Sequence, residues 1–154
     1  MRSAPYEQRR GEFLVSTERA LLDVPLIHAF LTHTYWSPGV PLETVQRAIE
    51  HSLCFGLYRT EEGRPARQVG FARVVTDCAT FGYLADVFVD EGLRGQGLGQ
   101  WLMEVLFAHP QLQGFRRFML ATRDAHGLYA KHGFTPLSAP DRFMERWDPD
   151  VYRR

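Results

Sequence analysis

The chain has 154 residues, with 18 basic and 18 acidic side chains and a formal net charge of zero. That size suits one domain with a core of its own. The charge balance argues against a general nucleic-acid or membrane-surface role, which a basic excess would mark.

Two cysteines, Cys54 and Cys78, lie in apolar or strand-like context without metal-type spacing. They are expected to be buried thiols in a reducing cytoplasm, with no metal bound. The start, "MRSAPYEQRRGEF", has no apolar run of the kind a signal peptide needs, and no stretch reaches the roughly 18 residues of a membrane span. The expected location is cytoplasmic.

Residues 1–10 are polar and are expected to form a mobile tail. "EFLVS", 12–16, predicts a short strand. Val24, Leu26, Ile27, Phe30 and Leu31 recur at helical spacing, with Asp23 as N-cap and Pro25 in the first turn. "SPGVP", 37–41, breaks the chain, and Leu42, Val45 and Ile49 mark one face of a second helix.

"LCFGLYR", 53–59, predicts a strand. "QVGFARVVT", 68–76, and "TFGYLADVFVD", 80–90, predict an antiparallel hairpin or meander. A glycine-rich segment follows, then a helix to about Ala108 with Leu98, Trp101, Leu102, Val105 and Leu106 on its buried face. "FRRFMLAT", 115–122, predicts a strand parallel to the one before the helix, joined by a right-handed crossover. "DAHGLYAKHGF" predicts a short helix ending at Gly133, and "TPLS" and "FMERW" a closing strand pair. The fold class expected is mixed α/β: one domain, a mostly antiparallel sheet with one parallel strand pair, and about four flanking helices.

The segment "DEGLRGQGLGQWLMEVL", 90–106, puts four glycines between Gly92 and Gly99. The N-terminus of a helix carries unpaired N–H groups and partial positive charge, so it favours anions. Glycine permits positive φ and removes the Cβ that would keep a ligand off the backbone. Arg94 adds a fixed charge that can bond a phosphate. Strand, amide-rich loop and helix together read as a phosphate cradle, or else as a tight turn needing glycine for shape alone. No Gly-Lys-Ser/Thr occurs, so it is not a Walker A loop, and it lacks the strict dinucleotide spacing.

"DVFVDEGLRGQGLGQWLM" resembles the central motif of the GNAT family of acyl-CoA-dependent N-acetyltransferases, and "LATRDAHGLYAKHGF" resembles the segment that follows it. The resemblance covers about residues 68–135, and the helix and strand order extends it over nearly the whole chain. It implies that Arg94, Gly95, Gln96, Gly97, Leu98 and Gly99 wrap the pyrophosphate of coenzyme A. It also implies a splay between the two parallel strands that admits the pantetheine arm, whose amides pair with backbone around Val87 and Val89. Acetyl-CoA is then the cosubstrate, and a backbone N–H near Val87 or Phe88 holds the oxyanion.

Acetyl transfer needs a neutral amine, while an alkylamine of pKa ~10.4 is almost wholly protonated at pH 7. Asp86, in "LADVFV", is the leading proton acceptor, made a stronger base by apolar surroundings; a structural aspartate is the alternative. Tyr129 matches the family's tyrosine facing the coenzyme sulfur and would protonate the departing thiolate; a core tyrosine is the alternative. Asp124 stands where many members carry Asn, so it would either contact the pantetheine or cap the helix at 125. His126 and His132 lie near it and read as surface or capping histidines, with an approach of His126 to the acceptor as the alternative.

The loop "THTYWSPG" is expected to wall the acceptor pocket with His33, Tyr35 and Trp36, and Arg73 lines it or pairs with Asp77. The expected activity is acetyl transfer to a primary amine by direct attack on the thioester. The partner expected is a small-molecule amine; nucleic acid and membrane are not expected, and a homodimer is compatible with the reading. A protein N-terminus or lysine is the second acceptor class. A non-catalytic acyl-CoA sensor or an interaction module is the reading from outside enzymology.

Overall fold

The computed structural model describes residues 4–153. Six strands form one sheet in chain order: β1 (Glu7–Arg10), β2 (Phe13–Ser16), β3 (Leu53–Arg59), β4 (Arg67–Thr76), β5 (Phe81–Val89) and β6 (Arg117–Leu120). Neighbours from β1 to β5 are antiparallel, and β5 and β6 are parallel. The helices are α1 (Val24–Leu31), α2 (Leu42–Glu50), α3 (Leu98–Phe107) and α4 (His126–Ala130). No helix among the described residues is long and apolar enough to cross a membrane.

Local chemistry explains the helix ends. The Asp23 carboxylate accepts from the Leu26 N–H at 3.1 Å, and Pro25 occupies the first turn of α1. At the head of α3 Gly97 takes a left-handed conformation, φ +75°, with no side-chain cap.

The sheet carries a core on each face. Leu98, Trp101, Leu102, Val105 and Leu106 of α3 pack on one face with Val74 and Leu84. Met103, outside the expected face, is fully buried with them. On the other face α1 and α2 bury Ile27, Leu31, Val45 and Ile49 against Phe71 and Phe88.

Leu84 and Phe88 lie an even number of residues apart on one strand, yet they face opposite cores. A β-bulge accounts for this. Phe71 pairs with Phe88, but Arg73 pairs with Ala85, so β5 carries one residue more than β4 over that span. The extra residue exchanges the faces of everything beyond it. Asp86 sits in the bulge at φ +57°, in the left-handed region that non-glycine residues seldom adopt.

The β5–β6 pairing stops at Leu84 and Leu120, although β5 continues to Val89. Beyond that point the two chains part and a fork opens.

Four expectations are corrected. Residues 7–10, expected in a mobile tail, form β1, because their backbone pairs with β2 in register from Glu7↔Ser16 to Arg10↔Phe13. Residues 1–3 lie outside the described residues. "TPLS" and "FMERW" form no strand pair: Pro136 removes a donor from the first of them, and Met144 and Trp147 stand in solvent, 98% and 74% exposed. Cys78 is exposed rather than buried, since it occupies the β4–β5 turn at φ +60°. Asp77 binds that turn, accepting from the N–H groups of Ala79 and Thr80 and from the Thr80 hydroxyl, and so does not pair with Arg73.

Candidate active site

The fork opens into a cavity of about 700 Å³ that runs from residues 84–87 and 120–125 to the helix pair α1–α2. Tyr129 lines it from α4, Tyr35, Trp36 and Ser37 from the α1–α2 loop, and Tyr152 from the end of the described chain.

Strand alternation decides which backbone groups reach the fork. The Asp90 N–H donates to Val69 O at 2.7 Å on the β4 side. Phe88, two residues earlier and paired with Phe71, therefore also faces β4, while Val87 and Val89 present N–H and C=O to the unpaired side. The Phe88 ring is removed from the fork altogether, stacked on Phe30 at 3.9 Å.

Past Val89 the chain turns through the glycine segment. Asp90 accepts from Gly92 N–H at 2.9 Å, and buried Leu93 anchors the turn. Gly95 and Gly97 have φ of +85° and +75°. A Cβ added at either would meet nothing within 4 Å, so these glycines are required by backbone conformation and not by neighbouring protein. The N–H groups of Gly95, Gln96 and Gly97 have no backbone partner among the described residues, and those of Leu98 and Gly99 are the free amides of the first turn of α3. With Arg94 exposed beside them, these groups fit a diphosphate.

Asp86 is held from two sides. Arg73 Nε donates to one oxygen and Trp36 Nε1 to the other, each at 2.9 Å. Arg73 Nη1 also reaches Ser52 Oγ at 3.0 Å. The side chains of the ion pair are only 18% and 11% exposed. The apolar environment expected for this carboxylate is therefore absent; it sits in a polar network that the bulge creates. Arg73 pairs with Ala85, and the left-handed turn at the next residue brings the carboxylate within its reach.

Tyr129 is 8% exposed. Burial, followed by the neighbouring Tyr35 and Asp124, pushes its phenol up to about 12. At neutral pH it is a hydrogen-bond donor. Tyr35 lies across the loop after β6: its hydroxyl accepts from Arg123 N–H at 3.0 Å, and the Arg123 guanidinium covers its ring at 3.9 Å.

Of the acceptor-wall candidates, Tyr35, Trp36 and Arg73 line the cavity, whereas His33 is exposed and does not. Asp124 lines the mouth but does not cap α4, because Thr122 Oγ1 takes the Ala125 N–H at 3.0 Å. His126 is exposed, and His132 packs beside Phe107 at 5.5 Å between centroids, away from the cavity. Sequence reasoning missed Tyr152, Thr44 and Ala48 in the cavity wall. Helical periodicity would have placed the α2 positions near the core face, but nothing in the sequence ties Tyr152 to this site.

Comparisons with known proteins point to one family. The acetyltransferase (GNAT) domain model matches residues 51–136. A predicted acetyltransferase of Gibberella zeae is 37% identical over 146 residues, covering 83% of this chain and 81% of the relative. A predicted GNAT-family acetyltransferase from Xanthomonas campestris pv. campestris, solved by crystallography, is 54% identical with a TM-score of 0.85, over 92% of this chain and 97% of that one. A Mycobacterium tuberculosis protein solved in complex with CoA is 25% identical with a TM-score of 0.59, over 80% of this chain and 72% of that one. The forked parallel strand pair, the glycine-led helix and these likenesses converge, and the chain belongs to the GNAT family of N-acetyltransferases.

Proposed function

We propose that the protein transfers the acetyl group of acetyl-CoA to the primary amine of a small molecule by direct attack on the thioester. One observation carries this reading: unpartnered amides at the head of α3 follow directly on a strand whose Val87 and Val89 backbone groups face an open fork. Acetyl-CoA supplies the activated acetyl group and a thiolate leaving group.

The amides of residues 95–99, with Arg94, bind the diphosphate. The backbone of Val87 and Val89 takes the amides of the pantetheine arm as a further strand would. The Val87 N–H then lies where it can stabilise the charge growing on the carbonyl oxygen.

Tyr129 donates a hydrogen bond to the leaving sulfur. With its phenol near 12, complete proton transfer to a thiolate of pKa about 8.5 would run uphill, so its part is stabilisation by hydrogen bonding. Asp86 orients the incoming amine. Each of its oxygens already accepts one bond from the protein and keeps a lone pair for the acceptor. The amine proton passes to it or, through it, to water.

The test is thiol release from acetyl-CoA in the presence of single amines. Amine-dependent release supports the reading. Calorimetric binding of acetyl-CoA without release under any amine overturns it in favour of a sensor, and absence of binding leaves an interaction module.

A further inference from the structure

The acceptor half of the cavity is walled by α1, α2, β4 and Tyr152. Its accessible side chains are Tyr35, Trp36, Thr44, Ala48 and Tyr152, set over a closed apolar floor of Ile27, Leu31, Val45, Ile49 and Phe71, none more than 6% exposed. Its charged groups are Arg73 and Asp86, and these neutralise each other at 2.9 Å. The Ser37 hydroxyl is engaged with Leu31 O at 3.0 Å and with Thr34. The remaining charges of the lining, Arg123 and Asp124, belong to the mouth, on the loop after β6.

We infer that the acceptor is a compact monoamine whose body is uncharged and apolar, alkyl or aralkyl, and which seats that body against α2, the α1–α2 loop and Tyr152. This rests on the acetyl-transfer reading above. A second ammonium, a carboxylate or a phosphate carried into this half would lose its hydration and meet no unpaired opposite charge. An alkyl chain loses nothing there and gains the ordinary transfer free energy of each methylene.

The experiment is acetyl transfer with full-length protein to n-propyl-, n-butyl-, n-pentyl- and n-hexylamine and 2-phenylethylamine. The comparison set is 1,5-diaminopentane, spermidine, glucosamine 6-phosphate and a short peptide with a free N-terminus. The value of kcat/KM should rise about fourfold per methylene along the alkyl series until the cavity is filled, the factor that about 0.8 kcal/mol per methylene gives. 1,5-Diaminopentane, which puts an ammonium where n-hexylamine has a methyl group, should be at least about tenfold poorer than n-hexylamine.

Ala48 lines the cavity and is half-buried on α2. In Ala48→Asp the n-hexylamine/1,5-diaminopentane preference should shift at least about tenfold toward the diamine, because the new carboxylate supplies the missing countercharge. A flat alkyl series, or wild-type preference for the diamine, the peptide or the sugar phosphate, overturns the assignment while leaving acetyl transfer standing. Thiol release with none of these amines, in protein that binds acetyl-CoA, overturns both.

Discussion

Trp36 and Asp86 are 50 residues apart in the chain, and the indole Nε1 of the first donates to the carboxylate of the second at 2.9 Å. The bond ties the α1–α2 loop, which lines the cavity and on our proposal walls its acceptor side, to the bulge from which Val87 presents its N–H. The loop and the strand thus share one carboxylate, and the two halves of the cavity are set relative to each other by it.

Trp36→Phe keeps an aromatic ring in the wall and removes the donor. A hydrogen bond to a charged group contributes about 1.5–3 kcal/mol when buried, and this one is exposed, so a loss of about 1 kcal/mol is expected. The loss should appear as about a fivefold fall in kcat/KM for the amine, with acetyl-CoA affinity unchanged. Initial-rate kinetics with each substrate varied in turn measures the split; equal effects on both would place Trp36 outside the acceptor site.

The elements that carry their own periodicity were legible from the sequence. β3 spans residues 53–59 as expected, Asp23 caps α1, and α3 begins one residue after Gly97. What was hidden depends on register. No residue type signals a left-handed aspartate inside a strand, so the bulge, the exchange of faces between Leu84 and Phe88 and the Arg73–Asp86 pair were unreadable. Arg73 reads as a lone charge in an apolar stretch until its partner strand is known. The closing strands failed for the opposite reason. The aromatic residues of "FMERW" favour a strand, but among the described residues no neighbouring strand pairs with it, and Phe143 instead lies under the Arg117 guanidinium at 4.7 Å.

Tyr129→Phe removes only the donor at the sulfur. Turnover should fall roughly a hundredfold, within the range for a lost hydrogen-bond donor to a developing anion, with acetyl-CoA affinity within about twofold of wild type. The same residue predicts a pH dependence. Its folded-state value of about 12 exceeds the unfolded value of about 10, so the neutral phenol is favoured by folding. The contribution, about 3 kcal/mol, is fully present below pH 10 and is lost as the pH rises from 10 to 12. Between denaturant melts at pH 9 and 11.5, wild type should therefore lose about 2 kcal/mol of stability relative to Tyr129→Phe, which has no phenol to ionise. Below pH 10 no alkaline limb in kcat should vanish with the substitution.

Gly97→Ala tests the cradle separately from the chemistry. The position holds φ +75°, and an added methyl group meets no protein atom within 4 Å, so what remains is backbone strain of about 1 kcal/mol and obstruction of a ligand. The melting temperature should drop only a few degrees. The dissociation constant for CoA should rise at least about tenfold, with kcat at saturating acetyl-CoA within about threefold of wild type. Calorimetry with CoA reads this directly, and unaltered affinity would mean that the diphosphate is bound elsewhere.

Arg73 separates stability from activity. Arg73→Met leaves the Asp86 carboxylate, 11% exposed, with the Trp36 indole as its one remaining donor among those described and leaves the Ser52 hydroxyl without its guanidinium; breaking such a pair costs about 3 kcal/mol. Asp86→Gly added to it removes the stranded carboxylate and suits the backbone at φ +57°, which glycine adopts without strain. The double variant should therefore recover at least half of the lost stability in urea melts. Its activity should not recover, because the group that orients the amine is gone. If Arg73→Met/Asp86→Gly regains turnover along with stability, the carboxylate serves the fold alone, and the amine is oriented by other groups of the cavity.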